Sequence, residues 1–143
     1  MGTGKTTVGK LLARRLGMRF VDMDRVIEQR TGKTVSRIFA EDGEPRFRAL
    51  ERDLARELSA GSGLVVGAGG GVVLNPENVT DFERFGLVVC LQASPDAILR
   101  RTGSAKHRPL LEGEGDEKAA KTLALIESRR ALYDAIPNRV DTS

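Results

Sequence analysis

Hydrophobic positions along the chain alternate between two rhythms. Val8, Leu11, Leu12 and Leu16 recur at helical spacing and the run stops at Gly17, which predicts a helix from Lys5 to Leu16 with a glycine just past its end. A short strand is expected from Arg19 to Val21, and helical patterning resumes from Asp24 to Gln29 and from Val35 to Ala40. Pro45 suits a first helical turn, and Phe47, Leu50, Leu54 and Leu58 form the buried stripe of a helix running to about Ala60. Leu64 to Val66 and Leu87 to Leu91 are short continuous apolar runs, the pattern of strands covered on both faces of a parallel sheet. Further helices are expected after Asn75-Pro76, from Ser94-Pro95 to Arg101 and from Glu117 to Tyr133. A polar loop from Gly103 to Gly115 and a last strand from Arg139 to Asp141 complete the pattern. Strands alternating with helices predict an α/β fold with a parallel sheet in one layered domain.

Composition narrows the function classes. At 143 residues the chain suits one domain with one modest core. Its apolar runs are all far shorter than a bilayer span, which excludes a membrane segment, and the polar start argues against a secretory signal, so a cytoplasmic protein is expected. The net charge of +3 suits a small anionic ligand but falls short of a nucleic-acid footprint, because the basic residues are scattered. A single cysteine, Cys90, rules out a disulfide within the chain and reads as a buried structural thiol.

Chemistry concentrates at the start. Gly2-Thr3-Gly4-Lys5-Thr6-Thr7, running into an amphipathic helix, is the second half of the phosphate-binding motif G-x-x-x-x-G-K-[ST]. Glycines let the backbone close around a polyphosphate, the unpaired amides at a helix start point toward it, and the dipole favours negative charge there. Lys5 would reach the β and γ phosphates, and the Thr6 hydroxyl would ligate magnesium. The motif's first glycine would precede Met1, as would the strand that feeds such a loop. A frayed glycine-rich terminus is the bland alternative.

Asp22 and Asp24 stand two apart at the end of a strand, where extended geometry would aim both carboxylates to one side at the edge where open α/β sheets bind ligands. Phosphoryl transfer needs one carboxylate for the metal and a group that orients the attacking hydroxyl and accepts its proton. Asp24 could equally be an N-cap. Arg48, in the first turn after Pro45, would be tolerated best with an anion nearby, although a solvated surface arginine is the simpler alternative. Gly67-Ala68-Gly69-Gly70-Gly71 departs from the dinucleotide pattern G-x-G-x-x-G because Val72 stands at its third glycine, which leaves a backbone ligand contact or a plain turn.

Gly4-Lys5-Thr6, Asp22-x-Asp24, Asp42-Gly43-Glu44-x-x-Phe47-Arg48, Gly69-Gly70-Gly71 and Arg108-Pro109-Leu110-Leu111, in this order and spacing, resemble the shikimate kinases across nearly the whole chain. The resemblance implies a three-layer P-loop kinase-like α/β fold with helices on both faces of a parallel sheet. The single domain would span residues 1–143, with a substrate-binding helical region at about 24–60 and a lid at about 103–115. It implies ATP- and Mg2+-dependent phosphorylation of the 3-hydroxyl of shikimate in aromatic amino acid biosynthesis. Gly2, Thr3, Gly4, Lys5, Thr6 and Thr7 would hold ATP phosphates, Thr6 and Asp22 would serve Mg2+, and Asp24 would be the base beside the acceptor. Arg48 and Arg129 would hold the substrate carboxylate, with Gly69, Gly70 and Gly71 lining the same pocket. Arg108 would close over the phosphates as a catalytic lid residue, and Arg101 would stack near adenine. Periodicity alone does not choose between Arg129 and Arg130, since each heads an equally good helical stripe; the family pattern Arg-x-x-Leu-Tyr selects Arg129. His107 lacks companion ligands and reads as a solvated loop residue.

The same resemblance implies that the family's first strand and closing C-terminal helix are missing, which would leave a gap in the middle of the sheet. A monomer acting on a small molecule, without nucleic acid or membrane, is expected. Two competing readings are a different P-loop small-molecule kinase, acting on gluconate or a nucleotide, and a noncatalytic fragment that binds phosphate anions or a partner. The first would keep Lys5, Thr6 and a lid arginine but need another acceptor site.

Overall fold

Why the chain starts a helix at Lys5 is visible in the backbone before it. Gly4 adopts φ +81°, a left-handed conformation that costs glycine little, and α1 (Lys5–Leu16) begins there without a side-chain cap. The computed structural model describes residues 2–102 and 115–143. The leucines that mark α1's rhythm lie outward: Leu11 and Leu16 are 53% and 54% exposed, and Gly9 and Ala13 are the buried positions. The helix therefore lies close on β1 and β2 through its small residues.

β1 (Arg19–Asp22) runs straight into α2 (Met23–Thr31), and Asp22 caps that helix by accepting the Arg25 amide at 3.3 Å. The cap is thus Asp22, and Asp24 sits in the first turn of α2 instead of continuing the strand, so the two carboxylates are not an extended pair. The cause is Met23, which is fully buried and starts the helix one residue earlier than the sequence pattern suggests. Thr34 caps α3 (Val35–Asp42), and α4 (Glu44–Ser59) follows with Pro45 in its first turn. Phe47 and Leu54 of the expected stripe are buried; Leu50 and Leu58 pack beside them on a core of Met23, Ile27, Ile38, Phe47, Leu54 and Ala55.

β2 (Leu64–Gly67) leads through the glycine segment to a 3-10 turn (Val72–Leu74) and α5 (Pro76–Phe85), capped by Asn75. β3 (Val89–Gln92) is followed by α6 (Pro95–Thr102), whose first turn is capped by the Ser94 hydroxyl. The expected strand start at Leu87 is corrected to Val89, because β4 (Asn138–Asp141) offers partners only from there; Leu87 is 76% exposed. The expected long helix from Glu117 to Tyr133 is two helices, α7 (Gly115–Ser128) and α8 (Arg130–Asp134). At the break the Ser128 hydroxyl donates to the Leu125 carbonyl and the Arg129 amide donates only three residues back, to the Ile126 carbonyl, tightening the last turn.

Both strand pairs are parallel: β1 with β2, from Arg19 opposite Leu64 to Asp22 opposite Gly67, and β3 with β4, from Val89 opposite Asn138 to Gln92 opposite Asp141. Among the described residues the two pairs are not hydrogen-bonded to each other, so the parallel sheet is two separate two-stranded ribbons. Each strand then has a hydrogen-bonded neighbour on one side only, and β2 and β3, expected to be covered on both faces, are only partly buried. Cys90 of β3 is likewise half-buried, not fully enclosed; burial still pushes its thiol pKa up. No described helix is long and apolar enough to cross a membrane.

Candidate active site

Two clusters form beside the carboxyl ends of β1 and β2, where an open α/β sheet binds its ligands. The first is built on the start of α1. A first helical turn presents amides that lack intrahelical acceptors, and Thr6 follows on the same turn. Its hydroxyl stands 3.5 Å from Oδ2 of Asp22, the last residue of β1. One hydroxyl and one carboxylate oxygen at that separation suit a small hard cation that completes its shell with phosphate oxygens and water. No cluster of three or more acidic, histidine or cysteine ligands exists among the described residues, so the protein by itself offers no full metal cage. The loop is tied down from outside: Arg101 donates to the carbonyls of Gly2 at 3.2 Å and Thr142 at 2.8 Å, and the Thr142 hydroxyl donates to the Thr3 carbonyl at 2.9 Å.

The second cluster draws on α2, α4, the glycine segment and the α7–α8 junction. Arg48 falls in the second turn of α4, because that helix begins at Glu44. Its guanidinium is bonded by Glu44 four residues earlier and by Glu51 at 2.9 Å, and it lies over the Phe47 ring at 5.3 Å. It is therefore a held, largely enclosed cation and not a solvated one. A methyl group on Gly71 would collide with that guanidinium, and one on Gly69 would sit 3.3 Å from Asp24 Oδ1 and 3.5 Å from Glu51 Oε2. The side-chain-free segment lets all three charged groups approach its backbone. Arg129 is 6% exposed, and its charge acts on Glu51 and on the Tyr133 hydroxyl. The Tyr133 hydroxyl donates to the Gly70 carbonyl at 2.6 Å. A cavity of about 350 Å³ beside Arg48 is lined also by Glu44, Pro45, Leu74 and Asn75.

Burial raises the Asp24 pKa, Asp22 and Glu28 raise it further, and Lys5 and Arg48 pull it back. Burial likewise raises that of Glu51, opposed by Arg48 and Arg129. Asp24 thus lies in the field of both clusters, that of Lys5 and that of Arg48.

The structure brings Asp24, Arg48, Gly69, Gly70, Gly71 and Arg129 into one neighbourhood, and Thr6 and Asp22 into another. Arg108 and His107 lie outside the described residues, as does the expected lid apart from Gly115, which opens α7. The pattern reading missed Glu51 and the role of Tyr133. Glu51 had a signal, since it occupies the Phe47, Leu54 and Leu58 stripe three residues after Arg48; a carboxylate on a buried face needs a cation.

The sequence model of shikimate kinase matches residues 1–143. The chain belongs to the shikimate kinase family. It is 48% identical to the shikimate kinase of Pelotomaculum thermopropionicum, over 99% of this chain and 81% of that one, and 49% identical to that of Desulforudis audaxviator, over 99% and 74%. Among solved structures it resembles the shikimate kinase of Acinetobacter baumannii in complex with shikimate, with a TM-score of 0.92 and 37% identity over 100% of this chain and 79% of that one. The shikimate kinase of Bacteroides thetaiotaomicron matches with a TM-score of 0.92 at 38% identity, over 99% and 82%. The fold is thus the P-loop kinase-like α/β fold of shikimate kinases. The chain is a kinase that uses ATP and Mg2+ to phosphorylate shikimate in aromatic amino acid biosynthesis.

Proposed function

We propose that the two clusters are the two halves of this shikimate kinase's active site, with residues 1–143 forming one domain and about 103–115 its lid. The observation that carries the assignment is the convergence of Asp24, Arg48 and Arg129, from three distant parts of the chain, around backbone that bears no side chains. Two enclosed guanidinium groups match a carboxylate in charge and fork geometry, and the shikimate bound in the Acinetobacter baumannii enzyme carries one.

On this reading Gly2, Thr3, Gly4, Lys5, Thr6 and Thr7 hold the ATP phosphates through amides, ammonium and hydroxyl. Thr6 and Asp22 hold Mg2+, which when bound neutralises charge on the phosphate oxygens. Arg48 and Arg129 grip the acid's carboxylate, while Gly69, Gly70 and Gly71 offer backbone contacts beside it. That grip sets the reacting hydroxyl next to Asp24, and positioning of this kind supplies much of the rate in phosphoryl transfer. Asp24 orients the hydroxyl and accepts its proton, a task favoured by the raised proton affinity that burial gives it. Arg101 stands on the adenine side and Arg108 closes over the phosphates. The enzyme works as a monomer in the cytoplasm on its small-molecule substrate, without nucleic acid or membrane.

A co-crystal with a non-hydrolysable ATP analogue and shikimate tests the assignment. The phosphates are expected on Lys5 and the α1 start, the carboxylate on Arg48 and Arg129, and the acceptor hydroxyl within about 3 Å of Asp24. An acid bound away from Asp24 would overturn it.

A further inference from the structure

The glycine segment presents its amides in a way that depends on where its carbonyls are held. The Gly69 carbonyl accepts from Val72 N at 3.1 Å, and the Gly71 carbonyl accepts from Leu74 N at 3.0 Å, so both are fixed by the 3-10 turn that follows. Local backbone does not hold the carbonyl of Gly70. Its partner is the Tyr133 hydroxyl at 2.6 Å, contributed by α8 from 63 residues away. Among the described residues the amides of Gly70 and Gly71 donate to no protein acceptor and are available to a ligand.

In a trans peptide the carbonyl of one residue and the N–H of the next lie in one plane and point in opposite directions. The described chain contains no cis bond. Holding the Gly69 carbonyl therefore aims the Gly70 amide, and holding the Gly70 carbonyl aims the Gly71 amide. A peptide flanked by glycines on both sides rotates at little steric cost, so without an external tether its N–H would sample several directions. We propose that Tyr133 is a positioning residue for the acceptor: its hydroxyl orients the Gly70–Gly71 peptide so that the Gly71 N–H faces the acceptor pocket. This deepens the site assignment above and rests on it.

The neighbourhood supports the role. The Arg129 charge acts on the same hydroxyl, and α8 packs on the 3-10 turn, which anchors the tether. Burial raises the Tyr133 pKa, which keeps the hydroxyl protonated and able to donate through neutral pH. The helix break at Arg129 sets off the short α8, which carries Tyr133 to the segment. One group thus couples a cation assigned to the acid's carboxylate with an amide beside it.

The test is Tyr133→Phe, which keeps the ring and removes the donor. The shikimate KM is expected to rise about five-fold, the scale of one net hydrogen bond, with kcat falling by less and the KM for ATP unmoved. In enzyme labelled with 15N-glycine, shikimate should slow amide exchange at Gly71 in the unsubstituted protein, and the Phe variant should lose that protection. An unchanged shikimate KM, an equal loss toward both substrates, or unprotected Gly71 exchange in the unsubstituted enzyme would each overturn the proposal. Arg48→Ala separates this failure from a wrong site. If Arg48→Ala raises the shikimate KM and Tyr133→Phe does not, only the tyrosine tether falls; if neither does, the acceptor site lies elsewhere.

Discussion

The side of the molecule proposed to hold the acceptor and the side proposed to hold the nucleotide are built to different standards. Around α2, α3 and α4 the apolar residues close on one another, Glu51 beside them is paired with Arg48, and both Glu51 and Arg129 are more than nine-tenths buried. Around α1, β3 and β4 the apolar residues face outward: Leu11, Leu16, Leu87 and Val140 are each about half or more exposed. There the loop before α1 is held by hydrogen bonds to the carbonyls of Gly2 and Thr3 and not by a core. Selectivity for a small acid needs a preformed, desolvated pocket, because unpaired polar groups left by a wrong ligand are costly only when buried. A polyphosphate demands less enclosure, since a helix start and a lysine grip it through charge and amides.

The largest expected effect tests the chemistry of the tight side. Asp24→Asn should lower kcat by about 100-fold or more in an assay of ADP release, the scale of a lost general base. The same change has a stability consequence whose sign follows from burial. A carboxyl whose folded pKa is raised contributes stability below its unfolded pKa, near 3.8, and that contribution is lost as pH rises through the folded value. The asparagine variant should therefore match or exceed the parent in denaturant midpoint near neutral pH. A less stable variant with normal turnover would contradict both assignments.

Packing is tested by a pair. Leu54→Ala, at a position 2% exposed, should cost about 3 kcal/mol in urea unfolding. Leu11→Ala, at a position 53% exposed, should stay within about 0.5 kcal/mol. Equal costs would show that the two sides are not packed differently. Arg101→Ala removes the bonds from α6 to Gly2 and Thr142; it should raise the KM for ATP about five-fold and leave that for shikimate unchanged. An effect on shikimate instead would mean that the two sides are mechanically coupled.

The smallest effect concerns Glu28, whose negative charge raises the Asp24 pKa and whose Oε1 accepts the Val35 amide at 3.0 Å. Glu28→Gln keeps the acceptor and removes the charge, so the acid limb of the kcat profile should move to lower pH. A limb that stays in place would separate that titration from Asp24.

Local signals carried the element list, because caps and periodicity act within a few residues: Gly17, Thr34, Asn75 and Ser94 all end or start helices where the pattern puts them. They failed where a distant contact decided. The extended Asp22–Asp24 pair was lost because α2 starts at the buried Met23, one residue before the expected Asp24, and the helix through Arg129 broke beside a Tyr133 whose hydroxyl bonds Gly70. Arg129 could not be chosen over Arg130 by helical phase, since both stripes are equally regular; burial distinguishes them, with Arg130 exposed on its Glu127 pair.

What the sequence determined by itself is the alternation of strands and helices, the Gly4-Lys5-Thr6 start of α1, and the motif order that marks a shikimate kinase. Only the tertiary structure decided that Glu51 pairs with Arg48 while reaching Gly69 beside Asp24, and that Tyr133 holds Gly70. The physical reason is range: propensities and caps are settled by neighbours along the chain, whereas desolvation, ion pairing and strand order depend on groups that the sequence separates and only packing brings together.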